Sequence, residues 1–125
     1  MSKELSLNEY QRRAMETCLP TANNFSYMML NLVGEVGEFA SKVAKAIRKD
    51  QLGIHKEELA VKESGKELFQ DMDAELMAEA GDILWQLSGL CSVMGWTLDE
   101  VAQANLDKLA SRKQRGKIDG NGDNR

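Results

Sequence analysis

Histidine is nearly absent from this 125-residue chain, in which His55 is the single example. A lone histidine cannot form a histidine-rich zinc site, nor the Glu-x-x-His pairs that hold iron in di-iron helical bundles. It also leaves no histidine in place for a Ser-His-Asp or His-Cys nucleophile system. Acid–base chemistry is therefore expected to fall to the carboxylates.

Proline and aromatic residues are also scarce: Pro20 is the one proline, and Phe, Trp and Tyr make up 6% of the chain. Because β-strands depend on β-branched and aromatic runs, this composition favours helices. The apolar fraction of 42% permits one core of modest size. We expect a single domain over residues 1–115, followed by a flexible, glycine-rich tail over 116–125.

Missing features also disfavour several partners. The net charge is −4 and no basic block precedes the last predicted helix, so nucleic-acid binding is not expected. No apolar run approaches a membrane span and no signal peptide is recognisable, so we expect a cytoplasmic protein that does not bind membranes. Cys18 and Cys91 lack metal-ligand spacing and are expected to be reduced and buried.

Apolar residues at helical spacing predict an all-α, four-helix bundle. The first and last helices each open with a capping box, in which a serine or threonine stands three residues before a glutamate. The polar segment at about 50–73 is interpreted as an inserted loop with a short helix near 56–63. The helices are expected from Ser6 to before Pro20, from Asn23, Asn24 or Ser26 to about Lys49, from about Asp73 to Met94, and from Thr97 onward.

Each helix is expected to bury one apolar stripe. The stripe of the second helix centres on Val36 and that of the third helix on Ile83. Trp85 lies away from that stripe and is interpreted as a subunit contact, with base stacking as the alternative. The fourth helix is expected to turn five apolar residues inward: Leu98, Val101, Ala102, Leu106 and Leu109. Asn105 lies among them and is interpreted as a buried amide or as a ligand contact.

Carboxylates recur beside the stripes of the second and third helices. Glu35 and Glu38 are three residues apart, and Glu75, Glu79 and Asp82 follow at spacings of four and three. Like charges at these spacings repel, and no basic residue stands within one helical turn of the latter two. A divalent metal is the simplest remedy, and oxygen-only ligands favour magnesium or manganese. The alternative for either pair alone is a solvated helix face.

Two glycines, Gly34 and Gly37, flank the first carboxylate pair in the middle of its helix. Each costs roughly 1 kcal/mol relative to alanine in a helix interior. We therefore expect another backbone, or a ligand, to approach this part of the helix closely.

The segments EVGEFA (35–40) and EAGDILW (79–85) resemble the Glu-x-x-Glu plus Glu-x-x-Asp signature of the MazG-like nucleoside triphosphate pyrophosphohydrolases. The segment YQRRA (10–14) is similar to that family's first helix, and Asn105, Lys108 and Arg112 resemble positions of its last helix. The ending GDNR is similar to that of some phage-type members. The chain departs from the family at Asp50–Asp73, because the 40 residues between Glu38 and Glu79 exceed the usual connection.

The resemblance implies the all-α fold of this family and cleavage of nucleoside triphosphates to monophosphate and pyrophosphate, a nucleotide-pool activity. It implies Mg²⁺, with Mn²⁺ as a substitute, held by Glu35, Glu38, Glu79 and Asp82. An activated water attacks, with Glu38 or Glu35 as general base. The resemblance also supports a homodimer or a dimer of dimers. The further candidate residues are Asn105, Lys108, Arg112 and Lys42 for substrate binding and Glu75 as an outer ligand.

A second hypothesis keeps the fold without catalysis: a helical metal-binding or partner-binding regulatory module. The presence of all four acidic positions favours the enzyme, because a degenerate member is free to lose one.

Overall fold

The computed structural model describes residues 4–62 and 69–116, so the predicted tail at 117–125 lies outside the described residues. The all-α class is confirmed: the described chain consists of four helices, a 3₁₀ turn at Pro20–Ala22 and one small hairpin. The helices are α1 (Leu7–Met15), α2 (Phe25–Arg48), α3 (Phe69–Val93) and α4 (Leu98–Gln114), and the strands are β1 (Leu52–His55) and β2 (Glu58–Val61).

Side-chain caps set where the helices begin. The Oγ of Ser6 accepts the amide of Glu9 at 3.1 Å to open α1. The Oδ1 of Asn24 accepts the amide of Tyr27 at 2.8 Å, which selects Asn24 among the three expected caps of α2. The capping box of α4 is confirmed at Thr97, since both reciprocal hydrogen bonds with Glu100 are present. Such caps contribute about 1 kcal/mol each.

The inserted segment is a β-hairpin, so the short helix expected near 56–63 is wrong. Strands β1 and β2 pair antiparallel, with Ile54 opposite Leu59, and Leu52 is buried at the base. Lys56 and Glu57 form the two-residue turn, both at positive φ, as a type I′ hairpin requires. Cross-strand pairing of apolar residues outweighs the helical preference of the charged residues at the turn. Helix α3 also begins at Phe69, four residues before the expected start.

Helices α2 and α3 pack antiparallel and form the centre of the molecule. Met28, which is fully buried, lies against Gly89, where an added Cβ would overlap the Met28 sulfur. No second backbone approaches the two glycines of the carboxylate segment within the described chain: an added Cβ at Gly37 meets nothing within 4 Å, and one at Gly34 meets Asn31 Oδ1 at 3.4 Å. Close approach of a ligand there stays a prediction. Gly89 therefore sets how closely α2 and α3 approach.

The expected apolar stripes are only partly buried. On α2 the buried residues are Met28 and Ala46, whereas Val36, the expected centre, is 50% exposed. On α4, Leu98 is buried but Leu106 is 60% exposed. Periodicity identifies an apolar face but does not say what covers it, and within the described chain these faces remain open to solvent.

Polar contacts hold α1 against α3 and the start of α4. The buried Gln11 side chain donates to Trp96 O and Ser92 Oγ, each at 3.0 Å, and accepts the Leu98 amide at 2.8 Å. The Trp85 indole donates to Thr17 Oγ1 at 2.9 Å, so this tryptophan joins α3 to the segment that follows α1, while its subunit contact or base stacking stays a prediction. No described helix combines the length and apolar character that crossing a bilayer requires.

The contact at Gly89 generates a stability prediction. Gly89→Ala should lower the free energy of unfolding by about 1–3 kcal/mol, because the buried Met28 side chain has no space to move into. Gly81→Ala, in the same helix with nothing within 4 Å of the added Cβ, should raise it by up to about 1 kcal/mol. Urea unfolding followed by circular dichroism measures both. Equal effects of the two substitutions would contradict the packing described above.

Candidate metal centre

Three carboxylates meet where α2 faces α3. One oxygen from each of Glu35, Glu79 and Asp82 lies within 4.8 Å of the others. The two α3 residues are three apart, which places them on one side of that helix, and the antiparallel packing brings Glu35 opposite them. Glu35 and Glu79 are half-buried, and Asp82 is exposed. We call these three residues the carboxylate cluster.

Glu38 lies one turn beyond Glu35 on α2, and its side chain is exposed. It is not one of the three carboxylates whose oxygens converge, although its charge reaches Glu35. The structure thus brings together three of the four predicted ligands and leaves the fourth beside them.

Burial and the neighbouring carboxylates both disfavour the ionised form of Glu35. Burial raises the pKa of Glu35, and the charges of Asp82, Glu79 and Glu38 raise it further, while a hydrogen bond from Asn31 acts in the opposite direction. Burial likewise raises the pKa of Tyr10, with a contribution from Asp82. In both groups burial is the larger cause of the raised pKa, and the neighbouring carboxylates add to it.

Lys42 of α2 places a positive charge beside the carboxylates of α3, where the sequence of α3 predicted no basic neighbour. Its Nζ lies 3.2 Å from Glu79 Oε1 and 3.6 Å from Glu75 Oε2, and the hydrogen bond to Glu79 is the main reason that the pKa of Lys42 is raised. The expectation of no nearby basic residue considered α3 alone, whereas the lysine comes from α2. Glu75, the candidate outer ligand, is 62% exposed and contacts Lys42 outside the cluster.

Two side-chain amides, those of Asn31 and Gln86, form a hydrogen-bonded chain that leads to Glu35. Asn31 Nδ2 donates to Gln86 Oε1 at 2.8 Å and more weakly to Glu35 Oε1 at 3.4 Å. Gln86, 2% exposed, donates to the backbone carbonyl of Met28 at 3.5 Å. The sequence assigned no role to either amide, although Gln86 stands four residues after Asp82 on the same strip of α3. This chain orients the Glu35 carboxylate toward α3.

The predicted substrate residues of α4 differ in how far they are exposed to solvent. Asn105 is exposed, which overturns its expected place in an apolar core, and Arg112 is 4% exposed. Asn105 and Lys108 line a cavity of about 520 Å³ together with Trp96. Among the described residues that line this cavity, none belongs to the carboxylate cluster.

The carboxylate cluster fits a hard divalent cation. Its donors are all oxygen atoms, they come from two rigid helices, and their mutual distances allow one ion to contact all three. A bound cation would also relieve the repulsion that raises the pKa of Glu35. Zinc and copper are disfavoured, since no histidine or cysteine belongs to the group.

Comparison with known proteins places this geometry in context. A family model described as the MazG nucleotide pyrophosphohydrolase domain matches residues 23–116, which include α2, the hairpin, α3 and α4. The protein named "Gene 37 protein" of Mycobacterium phage L5 is 38% identical over 123 residues, which cover 93% of this chain and 96% of that protein. No solved structure matches the chain.

The raised pKa of Glu35 predicts a pH-dependent stability effect in metal-free protein. A raised folded-state pKa means that the ionised carboxylate destabilises the fold. This penalty is absent below the ordinary value of 4.5 and grows as the pH rises through the folded-state pKa. Glu35→Gln should therefore stabilise the protein at pH 7, by several tenths of a kcal/mol to about 1 kcal/mol, and less at pH 4.

Urea unfolding in EDTA at the two pH values measures this difference. Glu58→Gln, on the exposed strand β2, is the matched control and should show no such pH dependence. A stability gain from Glu35→Gln that is the same at both pH values would contradict the repulsion inferred here.

Proposed function

The chain belongs to the MazG nucleotide pyrophosphohydrolase family, and from this we propose that it is a Mg²⁺-dependent enzyme cleaving a nucleoside triphosphate to nucleoside monophosphate and pyrophosphate. The family match supports a pyrophosphohydrolase-type enzyme in general. The observation that supports the finer statement is the carboxylate cluster, with three oxygens from α2 and α3 within 4.8 Å of one another.

We infer that Glu35, Glu79 and Asp82 hold the cation, with Glu38 beside them as the fourth acidic position. When bound, Mg²⁺ or its substitute Mn²⁺ offsets the carboxylate charge, polarises phosphoryl oxygens and lowers the pKa of the attacking water. The buried chain from Gln86 through Asn31 keeps Glu35 directed at α3. The protein thereby presents a fixed set of oxygens in place of water.

Glu38 is the residue we favour for accepting the proton of the attacking water. It is exposed and stays outside the converging group, so its oxygens are open to a water molecule beside the cluster. Glu35 is the alternative, because burial and its neighbours raise its pKa toward the range in which a carboxylate accepts protons efficiently.

The substrate contacts are proposed from position. Lys42 contacts Glu79 of the carboxylate cluster, which supports a role in binding the phosphates of the nucleotide. Asn105 and Lys108 line the cavity of about 520 Å³ beside Trp96, a size in the range for small-molecule sites. Arg112, buried near the end of α4, is the third proposed substrate residue of that helix.

A homodimer, alone or paired with a second dimer, is the proposed assembly. Helix α2 exposes apolar side chains on consecutive turns: Leu30 is 74% exposed, Val33 is 65% exposed and Val36 is 50% exposed. An uncovered apolar face of this kind marks an interaction surface. A second copy of α2 would bury it, and the assembly would be soluble without further partners; the cytoplasm is the proposed compartment.

Activity should depend on the carboxylate cluster and not on carboxylates that merely touch Lys42. Glu79→Gln should lower kcat by at least a factor of about 10², because one cation ligand is lost. Glu75→Gln removes the other Lys42 partner but leaves the cluster intact, so it should retain activity within a few-fold. Each dNTP is incubated with Mg²⁺ or EDTA, and chromatography separates the monophosphate.

Absence of monophosphate from every nucleotide, in a folded sample with Mg²⁺, would overturn the proposed reaction. A folded protein that binds the cation without hydrolysis would instead support the regulatory module. Equal loss in Glu75→Gln and Glu79→Gln would show that Lys42 pairing, and not cation binding, governs activity.

Replacing Glu38 should separate proton transfer from cation binding. Glu38→Gln should reduce kcat by about 10²–10⁴-fold, the usual contribution of a general base, while the affinity for Mn²⁺ changes little. Electron paramagnetic resonance of Mn²⁺ titrations measures the affinity, and Glu79→Gln is the control that should weaken it. Near wild-type turnover in Glu38→Gln would assign proton transfer to Glu35.

A further inference from the structure

A second, positively charged site adjoins the carboxylate cluster. Lys42 and Lys45 of α2, together with Lys49 at its C-terminal cap, line one cavity of about 180 Å³. Its other wall is formed by α3 through Met72, Glu75 and Leu76, with Gln51 and Ala46 at its base. We call this cavity the lysine groove.

The lysine groove continues the same face of α2 that bears the carboxylates. Residues 35, 38, 42, 45 and 49 follow one another at spacings of three, four, three and four, which keeps them on a single helical strip. The first two are glutamates and the last three are lysines. Lys42 lies at the junction, since its Nζ is 3.2 Å from Glu79 of the carboxylate cluster.

The charge of the lysine groove is incompletely balanced by the protein. Glu75 borders the groove and contacts Lys42, but within the described residues no carboxylate lies at ion-pair distance from Lys45 or Lys49. Lysines at i,i+3 and i,i+4 repel by several tenths of a kcal/mol. The helix C-terminus favours cations, which offsets this cost but does not explain why three ammonium groups share one concave surface. An anion in the groove would do so.

The size of the lysine groove limits what it can bind. Its volume of about 180 Å³ is about a third of the 520 Å³ of the cavity beside Trp96, and it suits a small anion such as phosphate. A site lined by lysines in this way recognises phosphate oxygens as point charges. The chemistry therefore indicates a small polyphosphate anion.

We propose that the lysine groove binds the β- and γ-phosphates of the substrate and retains them as pyrophosphate after cleavage. This inference rests on the proposed function. In that reaction the water oxygen bonds to the α-phosphorus while the bond from that phosphorus to the bridging oxygen breaks. The bridging oxygen leaves with the electron pair on pyrophosphate, and the water proton passes to Glu38, the proposed general base. The three lysines neutralise the charge that develops on the leaving group.

Binding of inorganic pyrophosphate tests the lysine groove directly, because it can be measured without any hydrolysis of nucleotide. Lys45→Gln and Lys49→Gln should each weaken its binding about 3- to 10-fold at constant free Mg²⁺, a tenfold loss being about 1.4 kcal/mol. Isothermal titration calorimetry measures the affinity. The matched control is Lys113→Gln, a lysine in the last turn of another helix, α4, which should leave binding unchanged.

A nucleoside monophosphate, the other product, tests whether the lysine groove is specific for pyrophosphate. The variants Lys45→Gln and Lys49→Gln should bind the monophosphate as the wild type does. During turnover, each should raise both the KM for the triphosphate and the inhibition constant for pyrophosphate. Unchanged pyrophosphate affinity in the double variant Lys45→Gln/Lys49→Gln would overturn the proposal, as would an equal loss of monophosphate affinity. Loss of pyrophosphate binding alone, in a protein that hydrolyses no nucleotide, would uphold the groove and reject only the proposed reaction.

Discussion

The contact of Met28 with Gly89 is the constraint on which the rest of the structure depends. Because glycine offers no side chain, the fully buried methionine fixes both the separation and the register of α2 against α3. With that register set, the antiparallel helices bring both Glu35 and Lys42, which lies about two turns further along α2, within reach of Glu79. Helical spacing alone could not make these pairs, since each joins residues more than 35 positions apart in the chain.

The same register creates an electrostatic conflict that the molecule resolves in three ways. Carboxylates crowd at the interface, and burial together with their charges raises the pKa of Glu35. Lys42 places a positive charge on one side, the amide of Asn31 donates to Glu35 on the other, and the open face suits a divalent cation. A catalytic site commonly retains repulsion that a purely structural interface would remove. In the proposed function, these crowded carboxylates are the ones that hold the cation.

Sequence reasoning recovered what depends on local spacing and missed what depends on register. The four helices, the Thr97 capping box and three converging carboxylates followed from periodicity and residue type. The hairpin at 52–61 was missed because its charged turn has helical preference, whereas its stability comes from cross-strand pairs. The contacts of Trp85 with α1 and of Gln11 with α4 were also missed, as no pattern within one helix reveals its partner. The apolar stripes of the helices were predicted, but the sequence did not show which element packs against each stripe.

The position of Lys42 connects the two halves of the proposed site. Glu38 and Lys42 stand at i,i+4 in the orientation that favours an ion pair along one helix. Within the described residues the lysine instead reaches across to Glu79 and Glu75, so no ion pair joins it to Glu38. That choice leaves Glu38 exposed beside the carboxylate cluster, and it anchors the first lysine of the groove against α3. Because one rigid helix carries both the acidic and the basic residues, the proposed cation and the leaving phosphates would be held at a fixed separation, with Glu38 to Lys45 spanning about 10 Å along the axis.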